Sequence, residues 1–90
     1  MKQWKLYVLS CSDNSLYCGI SNDLPARIQK HQTGKGAKYT RGRLPVKLLC
    51  SWPCNDHSHA AQQEYRFKSL NRKKKVAAMQ NPNWIVQDLE

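Results

Sequence analysis

Acidic residues are scarce in this sequence of 90 residues. Six Asp and Glu stand against fifteen Lys and Arg, which gives a formal net charge of +9. Such an imbalance favours a polyanionic partner, meaning nucleic acid or an anionic membrane surface. A basic surface that serves only solubility is the plainer alternative.

Long apolar runs are also absent. No stretch approaches the roughly 18 apolar residues that a membrane-spanning helix needs, and the basic runs lack the bulky apolar residues of a membrane-surface helix. Residues 1–5 lead straight into a strand-like pattern, without the apolar segment and cleavage site of a signal peptide. We therefore expect a cytoplasmic protein with no membrane partner.

A secretory signal is also lacking, so we expect the four cysteines to be free thiols. They are Cys11, Cys18, Cys50 and Cys54. Cys50 and Cys54, together with His57 and His59, offer four candidate zinc ligands. Structural zinc sites usually pair two close cysteines with a second, well-separated pair, whereas Pro53 interrupts the pair here. Zinc is not the expected cofactor, and a zinc-stabilised adaptor is an alternative that metal analysis would test.

Apolar patterning and turn residues predict one small α+β domain, with a three-stranded sheet flanked by helices in the order β-β-α-β-α-α. The predicted strands cover 4–11, 16–20 and 45–52, and the predicted helices cover 24–32, a segment from a cap at Asp56 or Ser58 to about Leu70, and 72–79. A glycine-punctuated basic loop is expected over 34–43. Residues 1–80 form the predicted domain, and 81–90 form a tail that packs on it through Trp84 and Ile85 or trails from it.

The basic residues fall mainly in two runs, over 30–47 and 66–75, and the first run contains no acid. Cations arranged in this way would follow a nucleic-acid backbone with little readout of sequence. The candidate nucleic-acid contacts are Lys35, Lys38, Arg41, Arg43, Lys68, Lys73 and Lys74.

Two tyrosines occupy mirrored positions in the predicted hairpin "LYVLSCSDNSLYCGI". Strand propensity alone would account for Tyr7 and Tyr17. A turn centred on residues 13 and 14 would pair residue 7 with 20 and residue 10 with 17. The turn type then decides whether the two phenol rings reach the same face of the sheet.

Three further polar residues stand out in the predicted helices. Arg27 and His31 lie four apart beside the core-facing row of their helix, as an ordinary exposed pair also would. Glu64 is the one acid predicted inside a helix, on or beside an apolar stripe. A carboxylate there needs a partner, which is either Lys68 at i+4 or a metal ion, since Mg²⁺ takes few protein ligands.

The segments "LYVL" and "LYCGI" resemble the paired motifs of the GIY-YIG nuclease superfamily. Further along, "ARIQKH", "GKGAKYTRGRLPVKLL" and "AAQQEYRFKSL" resemble its small single-domain branch, an uncharacterised, UPF0213-like family. The resemblance covers residues 4 to about 75. It implies an antiparallel three-stranded sheet and a DNA endonuclease that uses one Mg²⁺ or Mn²⁺, with structure-selective cleavage in DNA repair or processing as a further expectation.

The resemblance also implies the site residues. The catalytic residues are Tyr7, Tyr17, Arg27, His31 and Glu64; Glu64 is the metal ligand, and Gly19 is the structural glycine of the second motif. The first motif departs from the family name as Lys5-Leu6-Tyr7, and Val76 stands where many active members carry asparagine. A catalytically weak or inactive nucleic-acid-binding module of the same fold is therefore the alternative, and specificity supplied by an unidentified protein partner stays open.

These residues suggest a mechanism for phosphodiester hydrolysis. Glu64 would hold the divalent ion, and Arg27 would stabilise the developing charge on the phosphoryl group. Tyr7 or Tyr17 would orient or deprotonate the attacking water, with His31 accepting a proton. A free tyrosine has a pKa near 10, so a tyrosine base at neutral pH needs a pKa about three units lower or a proton relay.

Overall fold

The computed structural model describes residues 2–85 as three strands and four helices. In chain order these are β1 (Lys5–Ser10), β2 (Leu16–Ser21), α1 (Leu24–Gln32), α2 (Lys38–Arg41), β3 (Lys47–Pro53), α3 (His57–Lys68) and α4 (Arg72–Met79). The strands form one antiparallel sheet in the order β2-β1-β3. The predicted fold class is confirmed, with one helix added to the predicted order.

The added helix, α2, lies inside the segment expected to be a loop. Its four residues are too few to show a helical period in the sequence, and glycines flank them. Gly42 ends the helix, and its backbone N–H donates to the Thr40 carbonyl. The prediction of a continuous loop over 34–43 was therefore wrong at its centre.

Capping side chains mark the starts of α3 and α4, whereas Asp23 before α1 makes no side-chain cap hydrogen bond. The Asn71 side chain accepts from the Lys74 N–H at 2.9 Å, and α4 has the predicted bounds. Asp56, rather than Ser58, is the cap of α3. That helix ends at Lys68, two residues before the predicted end.

The register of the hairpin differs by one residue from the predicted register. Tyr7 pairs with Gly19, and Leu9 pairs with Tyr17. Ser10 pairs with Leu16, so the loop between them contains an odd number of residues. Within this loop, Asn14 adopts a left-handed φ of 67°. Because side chains alternate along a strand, this register places both tyrosines on one face of the sheet.

The central strand β1 is buried on both faces. Leu6 and Val8 join the larger core, under α3 and α4, whereas Tyr7 and Leu9 join the smaller core, under α1. The larger core also contains Cys18, Trp52, Cys54, Ala60, Phe67, Ala78 and Ile85, and the smaller one contains Cys11, Leu24 and Val46. A strand that is buried on both faces has a continuous run of apolar residues, and "LYVL" in β1 is such a run.

The last described residues pack against the larger core. The Trp84 ring lies 5.4 Å from the Trp52 ring and 5.6 Å from the Phe67 ring, measured between centroids. The Arg66 guanidinium covers Trp84 at 4.0 Å. Residues 86–90 of the predicted tail lie outside the described part of the chain. None of the helices described is long and apolar enough to cross a membrane.

Replacing Phe67 tests the larger core. Phe67 is fully buried and contacts the rings of Trp52 and Trp84. Phe67→Ala should therefore lower the free energy of unfolding by about 3 to 5 kcal/mol, because it removes buried apolar surface and leaves a cavity. Urea denaturation followed by tryptophan fluorescence measures this. Tyr65→Ala, at a side chain 79% exposed on the same helix, is the control and should change it by less than about 0.5 kcal/mol. Equal losses in the two variants would contradict this account of the core.

Candidate functional site

The two tyrosine rings lie side by side over the α1 face of the sheet. Their centroids are 6.4 Å apart. Tyr7 lies across the backbone of its partner Gly19, where an added Cβ would be 2.6 Å from the Tyr7 hydroxyl oxygen. The absence of a side chain at Gly19 is therefore what lets the Tyr7 phenol lie flat against β2.

A buried chain of hydrogen bonds connects β1, α1 and α2. The Tyr7 hydroxyl is 2.9 Å from His31 Nε2, and His31 Nδ1 is 2.8 Å from Thr40 Oγ1. The Thr40 hydroxyl donates to the Ala37 carbonyl at 3.1 Å. Its proton is thereby committed, so Thr40 accepts from His31 Nδ1–H. His31 Nε2 is then the bare nitrogen, and Tyr7 donates to it.

Burial keeps this chain uncharged. It raises the pKa of Tyr7 to about 12. For His31, burial lowers the pKa, and the positive charge of Arg27 lowers it further. The lowered tyrosine pKa that base catalysis would require does not occur at Tyr7. The other expected route, a proton relay through His31, has the hydrogen bond that it needs.

Arg27 reaches both tyrosines from α1. Hydrogen bonding to the Tyr7 hydroxyl is the main cause that raises the pKa of Arg27, and Tyr17 adds a smaller contribution. Because the Tyr7 proton is directed at His31 Nε2, the Tyr7 oxygen keeps lone pairs that can face Arg27. The guanidinium is charged and half-buried, close to both phenols.

A pocket of about 240 Å³ opens next to these residues, at the outer edge of the sheet formed by β2. We call it the edge pocket. Its lining residues are Leu16, Tyr17, Cys18, Tyr39, Phe67, Lys68 and Lys75. Tyr17 and Tyr39 come from the α1 side of the sheet and their rings are stacked 6.1 Å apart. Phe67 and the lysines come from the α3 and α4 side, so the edge pocket joins the two faces.

Glu64 lies beside the edge pocket on the α3 side. Its Oε2 is 3.2 Å from the ammonium of Lys68, which confirms the i+4 pair. The pKa of the neighbouring Cys18 thiol is raised to about 12, mainly by burial and next by the negative charge of Glu64. Glu64 therefore sits across β2 from the tyrosines and Arg27, and its side chain is 24% exposed.

The predicted nucleic-acid contacts are mostly exposed. This holds for Lys35, Lys38, Arg41, Lys73 and Lys74. Arg43 is engaged within the protein instead: it donates to Asp13 at 2.9 Å and lies 4.0 Å over the Tyr39 ring.

The four candidate zinc ligands have other contacts. Cys54 is buried with its thiol toward the Trp52 carbonyl, and Cys50 packs against the larger core. His57 lies edge-on to Trp4, and His59 Nδ1 accepts from the Asn55 N–H. Within residues 2–85, no three His, Cys, Asp or Glu side chains come together in a group that could hold a metal ion.

Sequence reasoning missed four residues of this region: Gly36, Tyr39, Thr40 and Lys75. A Cβ on Gly36 would collide with the His31 ring, and Thr40 is fully buried and hydrogen-bonded to Nδ1 of that ring. The one signal in the sequence was that the segment "GKGAKYTRG" mixes small and aromatic residues with its cations. Their role depends on α2 folding back onto α1, which periodicity does not reveal.

Substituting Gly19 tests the close contact with Tyr7. Gly19→Ala should lower the free energy of unfolding by about 1 to 3 kcal/mol, because the added methyl displaces a buried phenol. Gly42→Ala, where nothing lies within 4 Å of the added Cβ, is the matched control and should be close to neutral. Chemical denaturation measures both, and a neutral Gly19→Ala would contradict the packing described here.

Stability should fall in mild acid because of His31. Its folded-state pKa lies below the unfolded value of about 6.5, so the unfolded chain takes up the proton more readily. The contribution of neutral His31 to the free energy of unfolding is fully present above the unfolded-state pKa and decreases as the pH falls below it. His31→Gln should flatten the decrease between about pH 7 and pH 5, and His57→Gln, at an exposed histidine, is the control. Denaturation curves at each pH decide, and an unchanged slope in His31→Gln would refute the assignment.

Comparison with known proteins identifies the family of this chain. The family model of the GIY-YIG catalytic domain matches residues 3–77. A UPF0213 protein of Bacillus velezensis is 56% identical over 69 residues, which are 77% of this chain and 70% of that protein. A UPF0213 protein of Xanthomonas axonopodis pv. citri is 45% identical over 80 residues, 89% of this chain and 78% of the other.

Solved structures show the same likeness. The solution structure of a UPF0213 protein from Bacillus halodurans has a TM-score of 0.57 and 42% identity, over 89% of this chain and 84% of that one. The solution structure of a protein from E. faecalis has a TM-score of 0.58 and 34% identity, over 86% of this chain and 83% of that one. Family match, relatives and fold agree, and the chain belongs to the GIY-YIG family, in its small single-domain UPF0213 branch.

Proposed function

We propose that this protein is a metal-dependent DNA endonuclease that hydrolyses phosphodiester bonds. The observation that carries the proposal is the meeting of Arg27 with the hydroxyls of Tyr7 and Tyr17 beside a pocket that Glu64 adjoins. Membership of the GIY-YIG family and the net charge of +9 support a nucleic-acid substrate. Selectivity for DNA structure, as in repair or processing, belongs to the same proposal.

Tyr17 is the tyrosine that meets the attacking water. It is partly exposed and lines the edge pocket, whereas Tyr7 has no exposed surface. A phenol oxygen held by Arg27 can accept a hydrogen bond from water and so orient it toward phosphorus. Arg27 is near enough to Tyr17 for the phenol to raise its pKa, and its fork of donors would stabilise charge that develops on the phosphoryl oxygens.

Tyr7 and His31 act as positioning residues in this proposal. Tyr7 presents a lone pair to Arg27 because its own proton is directed at His31 Nε2. His31 is in turn held by Thr40. The chain thus fixes where the guanidinium stands before substrate arrives, which is what electrostatic stabilisation of a transition state needs.

Glu64 is the residue that would hold the divalent ion. Its carboxylate is a hard oxygen donor, it is partly exposed, and its partner Lys68 lines the pocket that would receive a phosphate. One carboxylate together with phosphate oxygens and water suits Mg²⁺ or Mn²⁺. Bound there, the ion would supply positive charge to a phosphate oxygen and to the leaving oxygen.

The second candidate function is a nucleic-acid-binding module with weak or no turnover. Val76 favours it, since this position of α4 carries an exposed aliphatic side chain where many active relatives have asparagine. Such a module would use the same basic surface. Only a test of turnover separates the two functions.

Cleavage assays with matched variants provide that test. Purified protein is incubated with supercoiled plasmid and with flapped or branched DNA, in Mg²⁺ or Mn²⁺, with EDTA as a control. Glu64→Gln and Tyr17→Phe should each lower the cleavage rate by about a hundredfold or more. Tyr65→Phe, which removes a hydroxyl from an exposed tyrosine, should cleave like wild type.

Two results would contradict the proposal. If wild type cuts no more than Glu64→Gln while both bind DNA equally, the protein is the binding module. If binding is insensitive to salt between about 50 and 200 mM, nucleic acid is not the partner at all, because phosphate contacts release counterions.

A further inference from the structure

The four cations at the start of α4 do not share one environment. Arg72, Lys73 and Lys74 are exposed, whereas Lys75 is half-buried. Lys75 lines the edge pocket. Lys74 instead borders a separate concavity beside Trp84. Successive residues of a helix point about 100° apart, so two adjacent lysines of equal charge serve two different surfaces.

Lys68 brings a second ammonium group to the edge pocket. The positive charges of Lys68 and Lys75 both act to lower the pKa of the Cys18 thiol, against the larger effect of burial. Both ammonium groups are therefore near the strand residue that follows Tyr17. The described residues lining the pocket include no carboxylate, and Glu64 beside it is paired with Lys68. The charge of Lys75 is thus left for a ligand.

We propose that Lys75, assisted by Lys68, forms a phosphate-binding site in the edge pocket, which takes the phosphate group adjacent to the scissile one on the substrate strand. This inference rests on the proposed function, because it takes Tyr17 and Arg27 as the place of the scissile phosphate. Lysine binds phosphate as a compact point charge with rotatable donors. A second anchored phosphate would fix the direction in which the strand crosses β2.

The competing explanation for the position of Lys75 is packing. Its ammonium lies 5.9 Å from the centroid of the buried Phe67 ring, so its aliphatic stem covers part of the larger core. A variant that keeps the stem and removes the charge separates these roles. Lys75→Met does so, and Lys75→Gln is a second variant with the same loss of charge and a more polar end.

The experiment measures binding of a fluorescent DNA oligonucleotide in EDTA, so that no cleavage interferes. Dissociation constants are determined between about 50 and 200 mM salt for wild type, Lys75→Met, Lys75→Gln, Lys75→Arg and the control Lys2→Met, at an exposed lysine outside both basic runs. Loss of one phosphate contact lowers the slope of log K against log salt by about 0.9 on duplex, or about 0.7 on single strands. At 0.1 M salt the former corresponds to about eightfold weaker binding.

We expect that loss in Lys75→Met and Lys75→Gln, recovery in Lys75→Arg, and a change below about twofold in Lys2→Met. Equal behaviour of Lys2→Met and Lys75→Met would overturn the phosphate site, as would binding by both Lys75 variants that matches wild type. Cleavage by wild type is assayed in parallel. If wild type does not cleave DNA but Lys75→Met lowers the slope of log K against log salt, the phosphate site stands and the nuclease proposal fails. If wild type cleaves but Lys75→Met binds DNA like Lys2→Met, the nuclease proposal stands and the phosphate site fails.

Discussion

A hydrogen bond between two fully buried side chains, Tyr7 and His31, ties the central strand to α1, and the arrangement of the candidate site depends on it. By accepting the phenol proton, His31 leaves the Tyr7 oxygen free to accept from Arg27. By donating to Thr40, it draws α2 against α1. A polar chain in a core is costly unless every member is satisfied, and the described residues contain no buried side-chain nitrogen or oxygen without a partner.

Two glycines make this chain sterically possible. Gly19 leaves room for the Tyr7 ring, and Gly36 leaves room for the His31 ring. The aromatic groups thus occupy volume that side chains would otherwise fill. The backbone at Gly19 restricts the Tyr7 ring, and the backbone at Gly36 restricts the His31 ring. The phenol that Arg27 approaches is therefore positioned by packing as well as by its hydrogen bond to His31. A site held in this way needs little rearrangement when an anion arrives.

Much of the fold could be predicted from the sequence, because its signals are local. Asn71 marks the start of α4, and the apolar run of β1 marks a central strand. The face shared by Tyr7 and Tyr17 could not be predicted, since it depends on whether the hairpin loop has an odd or even number of residues.

The candidate site residues drawn from the family resemblance fall around β2. What the sequence does not contain is their environment. Burial that raises the pKa of Tyr7, and the partnership of His31 with Thr40, arise from contacts between segments distant along the chain. The difference between Lys74 and Lys75 likewise depends on how α4 is rotated against the sheet.

The position of β2 on the outside of the sheet has a consequence for the geometry of access. The edge pocket draws its walls from both faces and is bordered by the last strand of the described sheet, so a chain molecule can be laid across it from the side. A strand end does not have to be threaded into a closed tunnel. Under the proposed function, an entrance that needs no free strand end is compatible with cutting at internal positions.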